Sequence, residues 1–188
     1  MKIYFEQAKF KYPWRPYQKR VLDELETHLE DDRLHVVAPP GSVKTVLGLE
    51  IMRRIGQPAL ALAPSLTIRN QWVERFSELF LQLDRPPEWI TTDIDAPAFL
   101  TVATYQSIHS IFNFRKNQEK KQHRAKAVLS ALTDLKTHTL IVDEAHHLQK
   151  EWWKSLDRLR NGIGEQSVVE LTATPPYDVT GSVWESYI

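Results

Sequence analysis

Five short runs of the chain are apolar almost without interruption: Leu34 to Ala38, Ala59 to Ala63, Phe99 to Ala103, Thr139 to Asp143 and Val168 to Thr172. A strand with one wet face alternates apolar and polar residues. Continuous apolar character marks a strand buried on both faces, as in a parallel sheet whose crossover helices cover either side. Between these runs apolar residues recur at helical spacing, which predicts helices over Tyr17 to Leu29, Lys44 to Ile55, Ile68 to Leu81, Arg115 to Leu135 and Trp152 to Leu159. Strand and helix alternate, so the fold class is α/β, with a mainly parallel central sheet flanked by helices. Pro and Gly predict loops at Pro39-Pro40-Gly41, Pro64-Ser65, Arg85-Pro86-Pro87, Asn161-Gly162 and Pro175-Pro176. The first, second and last of these directly follow a strand, and the edge where parallel strands end is where such sheets bind ligands.

Composition narrows the class. With 188 residues, 42% hydrophobic and 26% charged, the chain has the profile of one globular domain spanning 1–188. The absence of cysteine excludes a disulfide framework, cysteine-ligated metal sites and thiol nucleophiles. No apolar run approaches the roughly 18 residues of a membrane span, and the N-terminal stretch mixes charge with aromatics, so a cytoplasmic protein without a membrane partner is expected. Lys+Arg and Asp+Glu both number 24, yet this neutrality is a cancellation. Lys2, Lys9, Lys11, Arg15, Lys19 and Arg20 crowd the N-terminus, and Arg115, Lys116, Lys120, Lys121, Arg124 and Lys126 form a second basic block. Such blocks are ordinarily solvated helix faces; the Arg115 to Lys126 block, which matches no named motif, would otherwise add electrostatic affinity for nucleic acid.

Two strand ends carry chemistry. Ala38-Pro39-Pro40-Gly41-Ser42-Val43-Lys44-Thr45 lies between a strand and a helix. A phosphate loop needs small residues whose N–H groups wrap the anion, a lysine for the outer phosphates and a hydroxyl for magnesium, and Lys44 and Thr45 fit the last two roles. The strict pattern fails twice, because Ala38 and Val43 stand where glycine is required. A plain strand-loop-helix turn is the alternative. Asp143 and Glu144 end another apolar strand in paired acids, the first suited to hold magnesium and the second to activate water, or simply an exposed acidic pair. Zinc on Glu144, His146 and His147 is the poorer reading, since the spacing matches neither H-E-x-x-H nor its reverse.

Taken in order, these segments resemble the first RecA-like domain, a P-loop NTPase fold, of superfamily-2 helicases and translocases of the DEAH type. Trp14-Arg15-Pro16-Tyr17-Gln18 resembles the glutamine motif, Ala38 to Thr45 motif I, and Ala63-Pro64-Ser65 with Gln71-Trp72 motif Ia. Val102-Ala103-Thr104-Tyr105-Gln106-Ser107 resembles the later nucleic-acid motif, Asp143-Glu144-Ala145-His146 is motif II, and Leu171-Thr172-Ala173-Thr174-Pro175 resembles motif III. The double-stranded-DNA translocases of restriction and repair systems, including the type III restriction enzymes, are the most similar in feel. The resemblance implies ATP and Mg2+ as cofactors. Arg15 and Gln18 would meet adenine; Pro40, Gly41, Ser42, Val43, Lys44 and Thr45 would bind the phosphates; Thr45 and Asp143 would hold the metal. Glu144 would be the hydrolytic base, with Asp143 and Lys44 completing the catalytic set. His146, Thr172 and Thr174 would couple nucleotide state to nucleic acid, which Ser65, Arg69, Thr104 and Gln106 would touch through phosphates. Ser65 and Thr67 are equally placed as N-caps, and Trp152 and Trp153 as core residues.

Two departures qualify the expectation. Val43 puts a β-branched side chain where the chain passes closest to the β-phosphate, which predicts weakened or abolished ATP binding. The sequence also stops at Ile188, shortly after motif III, whereas motors of this type close two RecA-like lobes around ATP. The partner lobe is expected downstream or on another chain. The competing readings are a degenerate, non-hydrolysing nucleic-acid or protein-binding module and, less in keeping with the glutamine motif and Thr172-Ala173-Thr174, another P-loop phosphotransferase.

Overall fold

The structure is a computed structural model that describes residues 5, 7–28, 33–38, 44–115, 118–144, 150–164, 167–173 and 186–187. In chain order its elements are α1 (Pro16–Leu25), β1 (Arg33–Val37), α2 (Lys44–Ile55), β2 (Ala59–Ala63) and α3 (Leu66–Phe76), the last continued by a π-helical turn over Ser77–Leu81. Then come β3 (Ile90–Thr91), β4 (Leu100–Thr104), α4 (Tyr105–Phe112), α5 (Glu119–Asp134), β5 (Thr139–Asp143), α6 (Lys150–Ile163), β6 (Ser167–Thr172) and β7 (Ser186–Tyr187). The strands form one 7-stranded sheet in the order β3-β4-β2-β5-β6-β1-β7. Every pairing in it is parallel.

Each long strand sends alternate residues to opposite layers, as the period of two requires. In β2, Ala59 and Ala61 face a cluster with Leu22 and Leu25 of α1, Leu47 and Ile51 of α2 and Trp72 and Phe76 of α3. Leu60 and Leu62 face the other cluster, with Ile108 and Phe112 of α4, Val128 and Leu132 of α5 and Leu156 and Leu159 of α6. Helices therefore cover both faces, which is why the strand sequences are apolar at nearly every position. A buried His35–Glu170 contact of 3.7 Å between neighbouring β1 and β6 is the main exception.

Three expectations are adjusted. Asn161-Gly162 is not a loop: α6 runs on to Ile163 and stops at Gly164, whose φ of 99° suits glycine alone. Gly162 lies where α6 crosses α5, and a Cβ there would meet Leu129 Cδ2 at 2.5 Å. The basic helix begins at Glu119 rather than Arg115, because Arg115 and Gln118 close a turn, with Gln118 N–H donating to the Arg115 carbonyl at 3.1 Å. Finally, α4 was not anticipated, although its buried Tyr105, Ile108, Ile111 and Phe112 follow a helical period.

Candidate functional site

Because all strands run the same way, their C-terminal ends share one edge. Along it the register sets Thr104 of β4 beside Ala63 of β2, and Leu62 beside Val142 of β5. It continues with Asp143 beside Leu171 of β6 and Thr172 beside Val37 of β1. The Ala38 N–H donates to the Thr172 carbonyl at 3.0 Å, so the start of the phosphate-loop segment lies against motif III. Pro40, Gly41, Ser42, Val43, His146 and Thr174 fall outside the described residues.

Lys44 opens α2, Asp143 ends β5 and Glu144 follows it in the turn, with one strand between β5 and the strand before α2. The Lys44 Nζ meets Glu144 Oε1 at 2.5 Å, the two side chains being 9% and 24% exposed. In an extended strand Asp143 and Glu144 would point to opposite faces. Glu144 instead takes the left-handed conformation, φ 54°, which breaks the alternation at the strand end and leaves both carboxylates under the influence of Lys44. A non-glycine residue pays about 1 kcal/mol or more to sit there.

Asp143 is 3% exposed. Burial pushes its carboxyl up from 3.8 to about 6, with the Glu144 charge acting in the same direction, while a Trp72 hydrogen bond and Lys44 oppose the rise. Trp72 Nε1 donates to Asp143 Oδ2 at 2.8 Å, and the Tyr105 hydroxyl donates to the Asp143 main-chain carbonyl. Burial and the neighbouring Asp143, Glu170 and Glu144 charges hold the Tyr105 phenol well above its ordinary value, so it stays a donor. The residues fit a magnesium ion: Thr45, buried at the head of α2, and Asp143 offer hard oxygens, and a desolvated carboxylate gains from a cation.

Gln18 is buried in the first turn of α1, and its Oε1 accepts the Arg15 N–H at 3.1 Å. The carbonyl half of the side chain thus caps the helix, while Arg15 is exposed. Trp14 stacks on Phe10 at 4.3 Å and belongs to the core. Thr172 is buried at the end of β6.

On the other half of the edge, Ser65 caps α3 by accepting the Ile68 N–H at 3.3 Å, and Thr104 caps α4 by accepting the Ser107 N–H at 3.1 Å. Both hydroxyls therefore serve the helix starts. Gln106 is exposed in the first turn of α4, and the Arg69 guanidinium is held by two bonds to Asn70 Oδ1, at 3.1 and 2.9 Å. The fold thus gathers Lys44, Thr45, Asp143, Glu144 and Thr172 on one half of the edge and Ser65, Thr104 and Gln106 on the other. A cavity of about 960 Å³ among Phe80, Trp89, Phe99 and Leu135 lies at the opposite edge, where β4 and β5 begin, away from this chemistry.

Trp72 and Tyr105 stand within the motif Ia and later nucleic-acid segments, yet the resemblance pointed to no contact of either with Asp143. A signal was present in Gly48, a glycine in the interior of α2. A Cβ there would come within 2.6 Å of Leu171 Cδ1 and 2.7 Å of Trp72 Cη2, so its absence makes room for the indole to reach β5.

Comparison with known proteins agrees with this fold. Residues 11–177 match the family described as type III restriction enzyme, res subunit. The putative helicase 055L of Frog virus 3 is 33% identical over 143 residues, covering 71% of this chain and 28% of the relative. The DNA 3'-5' translocase XPB2 of Sulfurisphaera tokodaii is 28% identical over 174 residues, 93% of this chain and 34% of the relative. The chain thus spans about a third or less of these relatives' lengths. Among solved structures, the UvsW helicase from bacteriophage T4 superposes with a TM-score of 0.59 at 14% identity, covering 92% of this chain and 59% of that one. The ATP-dependent type ISP restriction-modification enzyme LlaBIII, solved bound to DNA, gives 0.57 at 19% identity, covering 89% and 13%. The sheet, the ordered motifs and the family match lead to one assignment: the chain belongs to the type III restriction enzyme res-subunit family and has the RecA-like α/β fold of superfamily-2 helicases.

Proposed function

We propose that this chain is the ATP-binding lobe of a DNA helicase or translocase, coupling ATP hydrolysis to movement on double-stranded DNA together with a second RecA-like lobe. The observation that carries this reading is the meeting of Lys44 with Glu144 at 2.5 Å, next to Asp143, on the edge that also holds the capped starts of α3 and α4. Lys44 would hold the outer phosphates, with Pro40, Gly41, Ser42 and Val43 supplying the loop and Arg15 and Gln18 meeting the adenine. Thr45 and Asp143 would hold Mg2+, which when bound supplies neutralising charge to the phosphates. As Lys44 turns to an incoming phosphate, its ion pair with Glu144 would open and the Glu144 carboxylate would accept a proton from the attacking water. His146, Thr172 and Thr174 would report nucleotide state to the nucleic-acid half, where Ser65, Arg69, Thr104 and Gln106 meet phosphates.

Val43 favours a second reading, in which the lobe persists as a non-hydrolysing nucleic-acid or protein-binding module. Titrating a fluorescent ATP analogue with Mg2+ against the native chain and Val43→Gly separates the two. Binding by the native chain, and DNA-stimulated hydrolysis once a second lobe is supplied, supports the motor. Binding by Val43→Gly alone, with DNA affinity indifferent to ATP, supports the module.

A further inference from the structure

Asp143 is gripped twice from the nucleic-acid half of the edge. The helix that Ser65 caps carries Trp72 about two turns, or roughly 10 Å, further along, and the Trp72 indole donates to the Asp143 carboxylate at 2.8 Å. The helix that Thr104 caps begins with Tyr105, whose hydroxyl donates to the Asp143 carbonyl. Both aromatic side chains are buried, so neither is placed to touch nucleic acid itself. The indole passes through the gap left at Gly48, between the helix that carries Lys44 and Thr45 and the strand that carries Asp143. Packed this tightly, α3 and α4 cannot shift without dragging on the acid or breaking a hydrogen bond to it.

We propose that Trp72 and Tyr105 are positioning residues that couple nucleic-acid contact at the starts of α3 and α4 to the orientation of Asp143. The inference rests on the proposed function and adds two residues to which that reading gives no role. One bond fixes the carboxylate and the other fixes the backbone just before the turn at Glu144. Displacement of either helix by a bound strand therefore alters how Asp143 presents its oxygens. By linkage, nucleotide with Mg2+ must then alter nucleic-acid affinity by the same factor that nucleic acid alters nucleotide affinity.

The test measures that factor in both directions on the whole chain, with the Mg2+ salt of a non-hydrolysable ATP analogue and a short DNA duplex, for the native protein, Trp72→Phe and Tyr105→Phe. The native chain is expected to show mutual coupling of about fivefold or more. In each variant the factor should fall below about twofold, while DNA affinity measured without nucleotide is retained. A merely structural role would weaken both ligands and leave their ratio in place. Should Trp72→Phe fail to fold, Tyr105→Phe decides, since it removes only a hydroxyl. Coupling that persists in the folded variants overturns the inference. So does a native chain that binds both ligands with no mutual effect, although the proposed function then stands. A native chain that binds DNA but no nucleotide overturns the inference and supports the module, and one that binds neither ligand overturns both readings.

Discussion

Asp143 retains its proton to about pH 6 because folding removes it from water faster than Trp72 and Lys44 compensate. Its native value lies above its ordinary one, so the folded state is favoured while the group is protonated. That stability is fully present below about pH 4 and is lost as pH rises through about 6. The displacement from 3.8 to about 6 corresponds to about 3 kcal/mol. Asp143→Asn, which keeps an oxygen for the indole, is therefore expected to be more stable than the native chain by up to about that amount at pH 8 and no more stable at pH 4. Urea unfolding across that range checks it, and an equal difference at both ends would remove burial as the cause. Nucleotide binding with Mg2+ should weaken in the same variant, so that stability and ligand affinity move in opposite directions.

At the scale of elements, Gly48 and Gly162 offer a matched pair, both inside helices where alanine is intrinsically better by about 1 kcal/mol. At Gly48 a methyl meets the rigid indole of Trp72 at 2.7 Å and Leu171 at 2.6 Å, atoms fixed within the core. Gly48→Ala should cost about 1–3 kcal/mol net. At Gly162 the obstruction is the side chain of the half-buried Leu129, which can turn aside, so Gly162→Ala should fall within about 1 kcal/mol of neutral. Thermal or denaturant unfolding of both variants tests the contrast. The same elements show what could be read beforehand. The five long strands lie within a residue of their expected bounds, because burial on both faces writes a continuous apolar run. Ile90–Thr91 and Ser186–Tyr187 are too short to carry any period. Lys44, Thr45, Asp143 and Glu144 were legible because their chemistry is tied to residue type and order. The grip on Asp143 was not, since the motifs that contain Trp72 and Tyr105 do not say where an indole N–H or a phenol points until the fold aims them.

For the whole molecule, zero net charge conceals a basic stretch on α5. On α5, Lys120, Lys121 and Lys126 stand exposed, whereas Arg124 is drawn into a two-pronged pair with Asp95 at 2.8 and 2.5 Å. The helix ends where β5 is about to start, at the far edge of the sheet, and 16 residues carry its beginning about 24 Å back toward the ligand edge. Replacing Lys120, Lys121 and Lys126 with glutamate should reduce the slope of log affinity for DNA against log salt by about 2 to 3. An unchanged slope would confine these lysines to solvation.

The position of β5 has a consequence for how the site fails. It is the middle strand of seven, flanked on each side by a fully paired neighbour, whereas the two-residue strands β3 and β7 close the sheet at its margins. Local opening begins at margins, and a central strand exchanges its amide protons only when the whole structure opens. Amides of β5 should thus be among the slowest to exchange with deuterium, and loss of nucleotide binding on heating should coincide with global unfolding. A binding loss that precedes unfolding would mean the acids are held by something looser than the sheet.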